Sequence, residues 1–180
     1  MPDVILVDNQ DRQVGVMEKL QAHQCGYLHR AFSIILWRRH GATEVLLQQR
    51  HPDKYHSGSL WSNSCCSHPQ PQQSLLTAAQ LRLTHELGIT DQLKFDELGA
   101  FEYRHEFPNG MIEHEYDHVL AANYDGPIVL HPQEATDYQW CDLDQVIQDI
   151  HRQPAKYTVW LQSCLMRFAN SVKHEAMHDD

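Results

Sequence analysis

Four groups of residues in this chain have the types and spacing that chemistry uses. The first is the run Ser62-Asn63-Ser64-Cys65-Cys66-Ser67-His68-Pro69. A cysteine two residues before a histidine in a polar loop suits a metal pair, a nucleophile with its base, or incidental thiols. A zinc finger is disfavoured because no second Cys/His pair follows at the required spacing. The second group is Glu113-His114-Glu115. In a strand, Glu113 and Glu115 point to one face, because side chains alternate. Two carboxylates there repel unless a proton or a cation sits between them, or unless the edge is solvated. The third group is His23 and His29, two surface histidines unless a helix or loop brings them to one site. The fourth is Arg82 and Glu86, four apart on a helical stretch. Such a pair is worth a few tenths of a kcal/mol on a surface. Alternatively, Glu86 is a ligand for a hard cation such as Mg²⁺.

These residues need elements to position them. Val4 to Val7 and Val14 to Val16, separated by a polar turn, read as an entry strand pair. Ala31 to Trp37 reads as a buried strand, turned by His40-Gly41 into a second strand, Glu44 to Gln49. His51 to Pro71 has no period and reads as a long loop with a short strand around Leu60 to Asn63. Long loops in compact domains usually carry function. Ser74 caps a helix from Leu75 to Leu87 that Gly88 ends. Leu76, Ala79, Leu83 and Leu87 form its expected buried face. Leu93 to Tyr103 and Met111 to Ala122 read as an antiparallel pair around Pro108-Asn109-Gly110. Asp137 to Cys141 is a short strand, Asp142 caps a helix to Ile150, and a last helix spans about Thr158 to Val172. The pattern is an α+β or mixed α/β sandwich, taken as one domain over residues 1–180.

Composition narrows the function classes. The chain has 180 residues with 14 Lys+Arg against 24 Asp+Glu, a formal charge of −10. An acidic chain is a poor general nucleic-acid binder. No apolar run approaches a membrane span. The first residues lack the basic and apolar regions of a signal peptide. The five cysteines then read as thiols of a reducing cytosol. Nothing in the sequence calls for an obligatory protein partner. Fourteen histidines raise the prior for a metal site without saying which of them matter.

Taken together, the order and spacing of these groups resemble the type I isopentenyl-diphosphate Δ-isomerases, relatives of the Nudix hydrolases. The resemblance runs over about residues 4 to 170. It is carried by Glu18-Lys19, His23, Leu28-His29-Arg30-Ala31-Phe32, Gln49-Arg50 and Lys54. It continues through Leu60-Trp61-Ser62-Asn63-Ser64 with Cys66 and His68-Pro69, Arg82, Glu86-Leu87-Gly88 and Glu102-Tyr103-Arg104. Gly110 to Glu115, Asp137 to Leu143 and Trp160 complete it.

The resemblance implies a Nudix-like α/β/α sandwich with mixed, largely antiparallel sheets. It implies a buried Zn²⁺, Mn²⁺ or Mg²⁺ held by His23, His29, His68, Glu113 and Glu115. It also implies a second ion, Mg²⁺, between Glu86 and the diphosphate of an isoprenoid substrate. Lys19, Arg50, Lys54 and Arg82 match diphosphate-binding positions. Cys66 and Glu115 match the catalytic groups, with Tyr103 and Trp160 in the pocket. The implied reaction moves a double bond by adding one proton and removing another. Carbocation character then needs a dry site, an aromatic face such as that of Trp160, and two proton-transfer groups. The other eleven histidines, His85 and His114 among them, take ordinary roles in this reading.

The chain departs from the family in places. Ser67 stands where the family has Gly, a change that matters if the loop needs positive φ. His23 and His29 are one residue closer than in the family. Leu81 to Gly88 keeps only Glu86 of the hydrolase carboxylates. That argues against a diphosphate hydrolase, one competing reading. A catalytically silent metal- or diphosphate-binding protein is the other, and the joint presence of Cys66, Tyr103, Glu115 and Trp160 argues against it.

Overall fold

The computed structural model describes residues 2–176. Asp3–Val7 (β1) and Gln13–Glu18 (β2) form the antiparallel entry pair. Lys19–Cys25 (α1) follows at once. The Glu18 carboxylate caps it by accepting from the Leu20 and Gln21 amides, and Gly26 ends it in the left-handed region. His29–His40 (β3) and Ala42–Arg50 (β4) form a hairpin. Trp61–Ser62 (β5) and Cys65–Ser67 (β6) punctuate the long segment before Leu75–Leu87 (α2). Asp96–Glu106 (β7), Ile112–Asn123 (β8) and Ala135–Asp142 (β9) precede Leu143–Arg152 (α3) and Leu161–Ala176 (α4).

The strands join one mixed sheet around β3. This strand pairs antiparallel with β4 and β6, and parallel with β8 from His29 opposite Glu115 to Trp37 opposite Asn123. The alternation of β3 and β8 splits the core in two. Phe32, Ile34, Leu36, Leu120 and Ala122 pack under Ala79, Leu83 and Leu87 of α2. Ile35, Val119 and Ala121 face the other way, under Val146 and Ile150 of α3 and Leu161, Leu165 and Phe168 of α4. Helices therefore cover both faces, the expected α/β/α sandwich. Stepping back by twos along the second face, β8 presents Asp117, Glu115 and Glu113, and β3 presents Ser33 and His29. One apolar sheet face thus turns into a buried polar one at its end.

Several elements differ from the sequence expectation. β3 is longer than Ala31 to Trp37 because β8 and β4 between them pair with all of it. β7 begins at Asp96 rather than Leu93. Leu93 turns off the sheet to bond the Gln80 side chain, and the strand is interrupted by a register shift near Gly99. The last helix starts at Leu161, because Thr158 is held by the Trp61 carbonyl and opens a turn. The buried face of α2 does not include Leu76, which is 39% exposed. Spacing of four from Ala79 selects Leu75 instead, which packs on the α2 core. The parallel β3–β8 pair and the strand β6 were not legible as such.

Gly88 ends α2 at φ 67°, and a Cβ there would stand 2.9 Å from the Val129 Cβ. Gly88→Ala is expected to cost about 1–2 kcal/mol from the left-handed backbone alone. The urea unfolding midpoint reads this, and an unchanged midpoint would refute it.

Candidate metal centre and active site

His23 and His29 are both fully buried. The ring of His23 hangs from α1, and its Nδ1–H donates to the Lys19 carbonyl at 2.7 Å. At the start of β3, the His29 Nδ1–H donates to the Tyr27 carbonyl at 2.8 Å. A carbonyl only accepts, so each ring carries its proton on Nδ1 and aims the Nε2 lone pair inward when neutral. Their ring centroids are 4.7 Å apart, so the shortened spacing displaces neither. His68 follows β6, with its centroid 5.0 Å from that of His29.

Into this space β8 sends two carboxylates. Glu115 Oε1 lies 2.9 Å from His68 Nε2 and 3.6 Å from His29 Nε2. Glu113 Oε1 lies 3.3 Å from His23 Nε2 and touches His56 Nε2. Lone pairs facing carboxylates repel unless a cation lies among them. His29 Nε2 and Glu113 Oε2 are buried with no hydrogen-bond partner. These orphaned donors, and a set built of imidazole and carboxylate, fit a divalent metal. Burial pushes Glu113 up, but the facing imidazoles of His23 and His56 outweigh it and hold its carboxyl well below the usual range. Burial also drives His68 down to about 4, against the pull of Glu115, so its imidazole is neutral and free to ligate at neutral pH.

Beside this group lies a cavity of about 400 Å³. Cys66, Tyr103, Glu115 and Trp160 line it. Alternation in β6 sends Cys65 into the α2 core and Cys66 toward the cavity. The orientation of Asn63 is fixed by its amide group, which donates to the Ile34 and Cys65 carbonyls at 3.2 and 2.9 Å. Its Oδ1 then accepts from both the Cys66 thiol and the Trp160 indole, each at 3.1 Å. Burial raises the Cys66 thiol to about 12, and Asp117 adds to this. Tyr103 is pushed well above its ordinary value by burial and then by Glu115, to which its hydroxyl donates at 2.7 Å. Ser67 sits in β6 without positive φ, so this segment does not need the family's glycine.

The same cavity also carries cations. Lys19, Arg50, Lys54 and Arg82 all line it. The Arg50 guanidinium lies 5.5 Å from the Trp160 ring centroid. Glu86 is buried, accepting from Gln48 Nε2 at 2.9 Å and from Arg82.

Sequence reasoning missed residues that the fold brings here. Glu134 pairs with Lys54 and, at 2.9 Å, with Arg82. Burial opposes its charge, yet those cations hold it at about 2. It arrives from the turn before β9, and no local pattern marks it. His56 was grouped with the ordinary histidines, but it is buried against Glu113. Asp117 continues the alternation of Glu113 and Glu115, a signal available in the sequence. His85 lies at the cavity rim, 3.3 Å from Glu134. His114 bonds the Gly26 carbonyl and Glu102 outside the cavity, an ordinary role.

The chain matches the NUDIX domain over residues 27–161. An isopentenyl-diphosphate Delta-isomerase 2 of Aromatoleum aromaticum is 48% identical over 164 residues, covering 91% of this chain and 85% of the relative. An isopentenyl-diphosphate Delta-isomerase of Burkholderia multivorans is 39% identical over 175 residues, covering 97% of each chain. Among solved structures, DR0079 from Deinococcus radiodurans superposes with a TM-score of 0.73 at 17% identity, over 92% of this chain and 98% of that one. A MutT protein from Methanosarcina mazei gives 0.65 at 18% identity, over 81% and 96%. At such identities the likeness to solved structures concerns the fold alone.

The elevated Cys66 thiol has a measurable consequence. Its thiolate fraction at pH 8 should be roughly one in ten thousand, rising tenfold per pH unit toward pH 12. Iodoacetamide should therefore modify the exposed Cys25 well before Cys66 near neutrality. Peptide mapping of a timed reaction reads the order, and early modification of Cys66 would contradict the buried, neutral thiol.

Proposed function

We propose that this chain, which belongs to the isopentenyl-diphosphate Delta-isomerase family of NUDIX-domain proteins, interconverts isopentenyl diphosphate and dimethylallyl diphosphate by a 1,3-proton shift. The observation that carries the reading is one cavity lined by a thiol, a tyrosine–carboxylate pair and four cations.

The chemistry needs one proton delivered to the terminal alkene carbon and one removed from the carbon two positions away. An alkene is a weak base, so the donor must be held against it where water does not compete. Cys66, kept neutral by burial, carries a proton at Sγ and is aimed by Asn63. Glu115, bonded by the Tyr103 hydroxyl, offers carboxylate oxygens from the neighbouring strand. These two groups exchange roles when the reaction runs backward. The Trp160 ring, fixed through its indole nitrogen, supports the developing tertiary cation by about 1–2 kcal/mol. Lys19, Arg50, Lys54 and Arg82 would bind the diphosphate, with the arginines gripping oxygens bidentately.

His23, His29, His68, Glu113 and Glu115 would hold a divalent ion, Zn²⁺, Mn²⁺ or Mg²⁺, which sets the proton affinity of Glu115. Glu86 would hold a Mg²⁺ that neutralises diphosphate charge. Hydrolysis of the diphosphate is not supported, because Glu86 stands alone in the 81–88 stretch where a hydrolase clusters carboxylates.

Purified protein with isopentenyl diphosphate and Mg²⁺ in D₂O should give deuterated dimethylallyl product by proton NMR. Phosphate release in its place would overturn the reading in favour of hydrolysis, and no turnover would favour a silent binder. In the same assay Cys66→Ala should lose at least about a thousandfold in kcat, as expected for deletion of a proton-transfer group. Cys65→Ala, altered on the α2 side, should stay within a few-fold of the parent. Equal losses would sink the assignment of Cys66.

Glu86→Gln should raise KM for the diphosphate substrate by about tenfold while leaving the buried ion in place by elemental analysis. Loss of that ion would show that the two cation sites are not separate.

A further inference from the structure

The cations of the cavity do not stand alone. Lys54 and Arg82 already face carboxylates. Lys54 Nζ touches Glu134 Oε2, Arg82 Nη2 lies 2.9 Å from Glu134 Oε1, and Arg82 Nε donates to Glu86. His85 Nε2 lies 3.3 Å from the same Glu134 Oε1. Glu134 itself lines the cavity. A site suited to an anion thus contains an anion of its own. Glu86 is engaged in a similar way, but it is the proposed ligand of Mg²⁺. Glu134 is left to act through its charge.

We propose that Glu134 is a specificity-determining residue, whose fixed negative charge makes the cavity favour a diphosphate complexed with Mg²⁺ over the free diphosphate anion. The inference rests on the reading that Lys19, Arg50, Lys54 and Arg82 bind a diphosphate.

Two observations keep that charge in place when a ligand arrives. The first is the backbone. The Glu134 amide donates to the His131 carbonyl at 2.9 Å, and its carbonyl accepts from the His51 amide at 3.0 Å. The His131 amide in turn donates to the Glu86 carbonyl at 2.8 Å. Glu134 is therefore pinned between the end of α2 and the start of the segment that carries Lys54, and does not depend on the cations for its position. The second is its ionisation. Burial opposes the charge, but Lys54 and Arg82 hold the carboxyl at about 2, so no proton neutralises it near pH 7. A phosphate that takes Lys54 or Arg82 then stands one cation away from Glu134, roughly 6–7 Å, or two contact lengths. At that separation in water-like surroundings, each unit of ligand charge changes affinity by about threefold. Mg²⁺ cancels two units of charge on the diphosphate, so it relieves the repulsion by about tenfold before salt screening.

The competing role is a tether alone, in which the contacts to Lys54 and Arg82 matter and the charge does not. The two roles make opposite demands on two variants. Glu134→Gln keeps the size and an accepting oxygen but loses the charge. Glu134→Asp keeps the charge and shortens the reach. Isothermal calorimetry with inorganic diphosphate, in magnesium-free buffer and in excess Mg²⁺, gives the ratio of the two dissociation constants for each protein. The parent should bind more tightly in Mg²⁺. Glu134→Gln should cut that preference by about fivefold to tenfold, chiefly through tighter magnesium-free binding, while Glu134→Asp should stay within about twofold of the parent ratio. A parent without the preference, a Glu134→Gln protein that keeps it, or weaker magnesium-free binding in Glu134→Gln overturns the inference and leaves the anion site standing. A parent that binds diphosphate in neither buffer overturns the anion-binding reading as well. Glu134→Ser provides a second uncharged variant should Glu134→Gln fail to fold.

Discussion

Glu113, Glu115 and Asp117 lie in a row on one face of β8, and water reaches almost none of them. Three adjacent buried charges of one sign cannot coexist without compensation. The fold compensates them in two ways. Glu113 and Glu115 face a set of imidazoles, of which His23 and His29 tie their outward nitrogens to carbonyls, so lone pairs and carboxylates converge where a cation would satisfy both. Asp117 faces Ser33 and Cys164 instead, and burial followed by the charge of Glu115 raises it well above the carboxylate range. The same row thus changes, within one step of the strand, from carboxylates that face imidazoles to a carboxyl held high by its surroundings.

The register between β3 and β8 follows from this arrangement. Pairing His29 with Glu115 sets imidazole beside carboxylate, and the parallel direction then sets Ser33 beside Val119, where the apolar core begins. A slip of one residue would turn Glu113, Glu115 and Asp117 toward the α2 core, leaving charges among Leu83 and Leu87. The polar end and the apolar middle of the sheet therefore enforce the same register. The neighbouring strand β6 obeys the alternation too, which is why two consecutive cysteines meet different surroundings.

Local chemistry explains what was legible in the sequence. The Ser74 cap, the Gly88 terminator and the Pro108–Gly110 turn act within a few residues, and the elements they bound lie close to the expected positions. The E-x-E pair was visible because a strand repeats every two residues. His56, Glu134 and Asn63 were not visible as working groups, since each acquires meaning from a partner far along the chain. Glu134 meets Lys54 across 80 residues, and Asn63 meets Trp160 across 97. Likewise the parallel pairing of β3 with β8 joins segments more than 80 residues apart, which no local period encodes.

An acidic chain that binds an anion must separate its charges in space. Here Glu134 and Glu86 sit between the cations of the cavity and hold Lys54 and Arg82 in place before any ligand arrives. That internal pairing lowers the cost of gathering like charges, but it also means a diphosphate must compete with carboxylates for the same guanidinium and ammonium groups. Mg²⁺ at Glu86 would ease this competition by drawing one carboxylate to itself. A single orthophosphate offers fewer contacts across the four cations and competes less well. The Trp160 ring neighbours both Arg50 and the Tyr103–Glu115 pair, so the groups proposed to grip the anion abut those proposed to move protons. Binding energy gathered on the diphosphate is thereby applied where the hydrocarbon must be held dry against a neutral thiol.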